Sequence, residues 1–161
     1  MVNKQIIEHY VKAEEYWMAA RNIVQRVMPV AQEPKLLART LECLQKSAGN
    51  LISAVLKYEY IYGNGKMYKN SEKNLELFFK EYAKGCGLDS QNRKKLMRLV
   101  FLSRKHKEVG FEFSKNGKVF MLDDDLKLFE IDKKGILEFL ELERNMLNSV
   151  KRVYFERILE E

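Results

Sequence analysis

Residues 34–62, PKLLARTLECLQKSAGNLISAVLKYEYIY, set Leu37, Leu41, Leu44, Ala48, Leu51, Val55 and Tyr58 at alternating four- and three-residue steps. That rhythm gathers side chains onto one stripe of an α-helix. Pro34 suits the first turn, where a missing amide proton removes no helical bond. At the other end Gly63-Asn64-Gly65 can release the last carbonyls; followed by Lys66, it lacks the spacing and preceding strand of a phosphate loop and reads as a helix stop. The preceding segment keeps the same rhythm, with Ile6, Tyr10, Ala13, Trp17, Ala20, Val24 and Val27 on one stripe from about Asn3 to Val30. Pro29 and Pro34 bracket the corner between the two. Two long antiparallel helices set the class: an all-α bundle.

Three further helices follow. Ser71 or Asn70 caps a short one carrying Leu75, Phe78, Phe79 and Tyr82, which Gly85 and Gly87 end. Asp89 or Ser90 caps the next, where Leu96, Met97, Leu99 and Val100 form an apolar arc and Lys94, Lys95, Arg98 and Lys105 gather opposite at about 100° per residue. Asp132 caps the last, with Ile131 and Ile136 as a hydrophobic staple and a seam of Ile136, Leu140, Leu147, Val150 and Tyr154. Before it, Phe111 and Phe113 alternate with polar residues, Asn116-Gly117 supplies a positive-φ turn, and Val119 and Met121 alternate on the return. The expectation is one domain over residues 1–161, a bundle of about five helices with a small β-hairpin, about 110–122, inserted before the last helix. Leu126, Leu128 and Ile131 fit either a third short strand or irregular chain.

A chain of 161 residues can bury a core without a disulfide or metal. Cys43 and Cys86 are too few for a disulfide framework or zinc knuckle and read as reduced thiols of a cytoplasmic protein; no cofactor is expected. Cys86, between two glycines, reads as packed rather than reactive. His9 has no ligand companion and reads as a surface residue. No apolar run or signal pattern points to a membrane. The net charge of +6 is uneven: residues 1–107 hold 20 Lys and Arg against 10 Asp and Glu, whereas residues 108–161 hold 9 against 13. The stretch from Gln91 to Lys107 has seven basic residues and no acidic one. It can therefore attract RNA, DNA or an acidic protein.

Arg104 and His106 stand where that basic helix meets the hairpin. Histidine titrates near neutral pH and guanidinium stabilises charge developing on phosphorus. Two residues apart, they share a cleft only if the helix unwinds after Arg104; otherwise they are cations favoured at a helix C-terminus. Asp123, Asp124 and Asp125 splay in different directions and read as a solvated turn rather than a hard-cation site. Glu143 interrupts the seam of the last helix, and Arg104 projects between Met97 and Val100. Each is costly to bury alone, so the two are expected to pair across the bundle.

Glu15-Tyr16-Trp17-Met18-Ala19-Ala20-Arg21 in the first helix, Leu44-Gln45-Lys46-Ser47-Ala48 leading to Leu56-Lys57 in the second, and the arginine-histidine site before the last helix resemble the HEPN superfamily of small helical bundles. The resemblance implies a dimeric, metal-independent endoribonuclease of a toxin or defence type. Arg104 would hold phosphate, His106 would serve as general acid and base, Lys94, Lys95, Arg98 and Lys105 would guide the RNA backbone, and Glu143 would support the site. The family's pair is spaced more widely than Arg104 and His106, with one residue between them, and more closely than Arg98 and His106, with seven. The alternative is a noncatalytic interaction module or homodimeric scaffold, its basic helix meeting an acidic or antitoxin-like partner and its hairpin offering an edge strand.

Overall fold

The computed structural model describes residues 3–156; residues 1–2 and 157–161, part of the expected domain, lie outside the described residues. Helix α1 (Lys4–Asn22) starts at Asn3, whose side chain accepts from the Gln5 amide. It continues through a π-helical turn (Ile23–Val27) into a last short turn (Met28–Ala31). Proline at position 29 has no N–H to give the Gln25 carbonyl and crowds it, and a widened turn immediately before it relieves that conflict. Gln32, at φ 50°, turns the chain.

Helix α2 (Lys35–Tyr62) runs back antiparallel to α1 and is the axis of the molecule. Leu37, Leu41, Leu44, Ala48, Leu51 and Val55 are all buried, as the stripe requires. So are Ala38, Thr40, Ser47, Ile52, Ala54 and Leu56, because α2 is covered on more than one side. It ends where expected, with the Gly63 and Gly65 amides both donating to the Glu59 carbonyl. Helix α3 (Ser71–Leu77) is capped by Asn70 and runs on through a π-helical turn (Phe78–Tyr82). Asp89 caps α4 (Ser90–Glu108), accepting from the Asn92 amide at 2.8 Å.

Three antiparallel strands follow, β1 (Phe111–Lys115), β2 (Lys118–Leu122) and β3 (Leu128–Ile131), in the order β1-β2-β3. The insertion thus extends beyond the expected hairpin at 110–122. The pairing of Val119 with Ile131 and of Met121 with Phe129 makes residues 128–131 a strand. The Asn116-Gly117 turn has both φ angles positive, 53° and 72°. Val119, Met121 and Ile131 bury the inner face of the sheet against the helices. Asp132 then caps α5 (Lys133–Val150) by accepting from the Gly135 amide at 2.7 Å, with Ile131 and Ile136 both buried as the staple. A π-helical turn (Lys151–Phe155) completes the helix.

Polar side chains tie the last helix to the first two. Trp17 donates its indole N–H to the Leu140 carbonyl at 2.9 Å, and the Tyr10 hydroxyl reaches the Leu147 carbonyl. The Tyr154 hydroxyl donates to a Glu59 carboxylate oxygen at 3.1 Å. Ser47 donates to the Ala13 carbonyl at 2.8 Å. Glu143 of α5 is 1% exposed. Burial pushes its carboxyl well above the ordinary range, while the Ser47 hydroxyl and the Ala48 backbone act in the opposite direction. Neither carboxyl oxygen makes a well-aligned hydrogen bond among the described residues, so desolvation dominates and favours the protonated form.

A raised native pKa means that the folded chain keeps a proton that the unfolded chain releases above its ordinary value of 4.5. The associated stability is complete below that pH and declines as pH rises toward the native pKa, by at most about 1.4 kcal/mol per pH unit. Glu143→Gln is expected to remove this decline in urea unfolding measured from about pH 4 to about pH 8, so the variant gains on the parent as pH rises. Parallel curves would mean that Glu143 is ionised in the fold.

Candidate functional site

The basic helix α4 does not unwind after Arg104. It stays helical to Glu108, and the Val109 amide still donates to the Lys105 carbonyl at 2.9 Å. Arg104 and His106 therefore leave the helix about 200° apart at roughly 100° per residue and enter different surroundings. Arg104 is half exposed and reaches Glu72 at the start of α3, 3.5 Å away. The expected pairing with Glu143 does not form. Arg104 lies on the outer flank of α4, above the α3–α4 groove, while Glu143 is enclosed with Ser47.

His106 is 18% exposed at the side chain and stands between two carboxylates. Nδ1 is 3.0 Å from Glu112 on β1, and Nε2 is 3.5 Å from Glu42 on α2. The Glu112 contact is close but not aligned as a hydrogen bond. Each ring nitrogen faces a carboxylate, and Nδ1 makes no aligned hydrogen bond among the described residues. The imidazole ties β1 to α2 and α4.

The four basic residues assigned to the backbone of a nucleic acid divide. Lys94, Lys95 and Arg98 make no ion pair among the described residues. Lys105 is turned inward: it pairs with Asp123 at 3.5 Å and lies over the rings of Phe101 and Phe129. Asp123 organises the acidic turn. It accepts from the Lys127 and Asp125 amides, and these bonds together with the Lys105 ammonium hold its carboxyl below the usual range. Among the described residues no group of three or more His, Cys, Asp or Glu is arranged to hold a metal. Cys86 is buried, which pushes its thiol up to about 12. His9 sets Nδ1 3.0 Å from the Asn50 side chain rather than standing free.

Sequence periodicity assigned Met97 to the core, and here the structure corrects it. Met97 is 57% exposed and Phe101, one turn on, is 44% exposed. With Leu75 and Phe79 from α3 and its π turn, and Val100 from α4, they floor a groove of about 710 Å³ whose charged rim includes Lys80, Arg93 and Arg104. The missed signal was local: Met97 and Phe101 are four residues apart and flanked by Arg93, Lys94 and Arg98, an apolar strip inside a basic face. A second, smaller cleft continues past Arg104 toward Ser103 and Lys107 and along α2.

Comparisons with known protein families, with curated proteins and with solved structures give no match. Among the described residues no helix is long and apolar enough to cross a membrane. The exposed Arg104–Glu72 pair should contribute little: a double-mutant cycle of Arg104→Met and Glu72→Gln is expected to give coupling of no more than about 1 kcal/mol. A coupling of several kcal/mol would place Arg104 in a buried network instead.

Proposed function

We propose that this chain is a noncatalytic interaction module that receives an acidic, amphipathic helix of a protein partner in the groove between α3 and α4. The observation that carries the reading is the exposed strip of Met97 and Phe101 facing Leu75 and Phe79, bordered by Lys80, Arg93 and Arg104 against one acidic residue, Glu76. Two helices with apolar residues four apart make a trough that a third helix fills with its own i, i+3, i+4 and i+7 side chains. Contiguous apolar surface rimmed by charge is the usual mark of such a contact. The rim then selects sign: Lys80, Arg93 and Arg104 favour carboxylates, and Lys94, Lys95 and Arg98 elsewhere on α4 speed encounter with them. No chemical step enters this reading; His106 and Arg104 face different carboxylates, Glu42 and Glu112 for the one and Glu72 for the other.

The test uses a labelled helical peptide of Leu and Glu in an amphipathic repeat, followed by fluorescence anisotropy, with a Leu and Lys peptide as control. Only the acidic peptide is expected to bind. Met97→Asp should abolish binding, and Lys94→Glu combined with Arg98→Glu should weaken it about tenfold or more, equivalent to roughly 1.4 kcal/mol. No binding of the acidic peptide, or equal binding of both, would defeat the reading.

The same unpaired Lys94, Lys95 and Arg98 favour a second reading, an RNA-binding domain of HEPN type. It calls for single-stranded RNA to bind with a salt dependence that flattens when those three become alanine, since fewer counterions are released. RNA cleavage in the presence of chelator, lost in His106→Ala, would replace both binding readings with the endoribonuclease.

A further inference from the structure

Strand β1 is one edge of the sheet, β3 the other, and all five residues of β1 are exposed. Natural edge strands are blunted by proline, a bulge, inward charge or a covering loop, because unpaired N–H and C=O groups template another strand. β1 is a regular five-residue run, FEFSK, paired without interruption to β2 and free of proline or bulge; its inward-facing carboxylate, Glu112, is met by His106 of α4. On the outer face, cross-strand pairing sets Phe111 beside Leu122 and Leu128, and Phe113 beside Phe120. Phe113 stacks on Phe120 with ring centres 5.2 Å apart, and Phe111 is 57% exposed.

The turn determines which backbone groups face outward. A two-residue positive-φ turn at Asn116-Gly117 closes on Lys115 and Lys118 as a hydrogen-bonded pair. Bonded and non-bonded pairs alternate along an antiparallel ladder. Phe113 and Phe111 therefore bond to β2, and the amides and carbonyls of Glu112 and Ser114 point to the free edge.

We infer that β1 pairs antiparallel with β1 of a second copy of this chain about a two-fold axis through Phe113, joining two three-stranded sheets into one of six strands. Only a register centred on a residue keeps both inner faces on the same side, since side chains alternate along the strand. Centring on Phe113 does so and also sets Glu112 opposite Ser114 of the second copy, the two residues whose backbone groups are unspent. Each such pair exchanges two hydrogen bonds, and the axis generates the pair twice.

The side chains agree with that register. Phe111 lies opposite Lys115 of the second copy, aromatic face against ammonium. Phe113 meets its own symmetry mate at the closer, non-bonded spacing. On the inner face, the Ser114 hydroxyl can donate to the Glu112 carboxylate that His106 positions. The contact is small beside a standard interface of about 1,200–2,000 Å², so the dimer is in concentration-dependent exchange with monomer. This surface is separate from the α3–α4 groove and does not depend on what that groove holds.

Sedimentation equilibrium of the full chain over a concentration series, paired with hydrogen exchange of the β1 amides, tests the inference. Mass should rise toward a dimer, with protection of Glu112 and Ser114 rising in step. Ser114→Pro removes one outward N–H and no bond to β2, and Phe113→Lys sets two ammonium groups at the axis, where like charges oppose. Each is expected to raise the dissociation constant about tenfold or more, with near-native circular dichroism. A single monomer mass throughout the series overturns the proposal. So does a dimer unaffected by both variants, or protection of Glu112 and Ser114 where the mass is monomeric. An edge that instead pairs with an extended peptide of another protein would be found in the monomeric outcome.

Discussion

Helix α2 is buried along most of its length, and that one constraint organises the molecule. A helix with apolar side chains on more than one face cannot be satisfied by a single neighbour. It is covered by α1 along one side, by α5 and α4 on others, by β2 of the sheet and by the first two π turns. Each partner presents its own apolar seam to it, and the faces left over become the surface. The sheet is held by Val119, Met121 and Ile131 on its inner side, which leaves its outer side to Phe111, Phe113 and Leu128.

Close packing around α2 also determines where charge can go. Glu143 falls inside the seam of α5, where burial raises its pKa and favours the neutral form over the salt bridge that such a position invites. On the surface the cations of α4 sort by reach. Arg104 and Lys105 are drawn to Glu72 and Asp123, which neighbouring elements bring within 3.5 Å in each case. Lys94, Lys95 and Arg98, nearer the middle of the helix, meet no carboxylate among the described residues. With Arg93 and Lys107, which also meet none there, they carry free positive potential, and the exposed Met97 and Phe101 give it an apolar floor to act with.

His106 illustrates how one residue type serves different ends in different settings. Near a break in a basic helix it resembles a catalytic acid-base group. Between Glu42 and Glu112 it is a tie that connects α4 to α2 and β1, and it keeps the first strand of the sheet in place. The groove and the sheet edge thus occupy separate elements of the fold, the first on α3 and α4 and the second on β1.

Local patterning was sufficient for the elements themselves. The four-and-three rhythm of Leu37 to Tyr58, the stop at Gly63-Asn64-Gly65, the Asp132 cap and the Asn116-Gly117 turn are short-range features whose energetics lie within a few residues, and each stands where the chain writes it; between Asn70 and Ser71, and between Asp89 and Ser90, the structure chose the first as cap. The third strand was ambiguous because Leu126, Leu128 and Ile131 become a strand only when β2 supplies the ladder. Partners of charged side chains were not legible at all. Arg104 with Glu72, His106 with Glu42, and the buried Glu143 depend on residues tens of positions away, which helix packing brings together, and Glu112, six residues on from His106, reaches it only because the chain turns from α4 into β1. Periodicity told which way Met97 points but not that α3 and α4 splay enough there to leave it in water. Sequence by itself determined the helices, the hairpin and the basic face; tertiary structure decided which charges are spent and which apolar residues are left uncovered, because both depend on distances between elements.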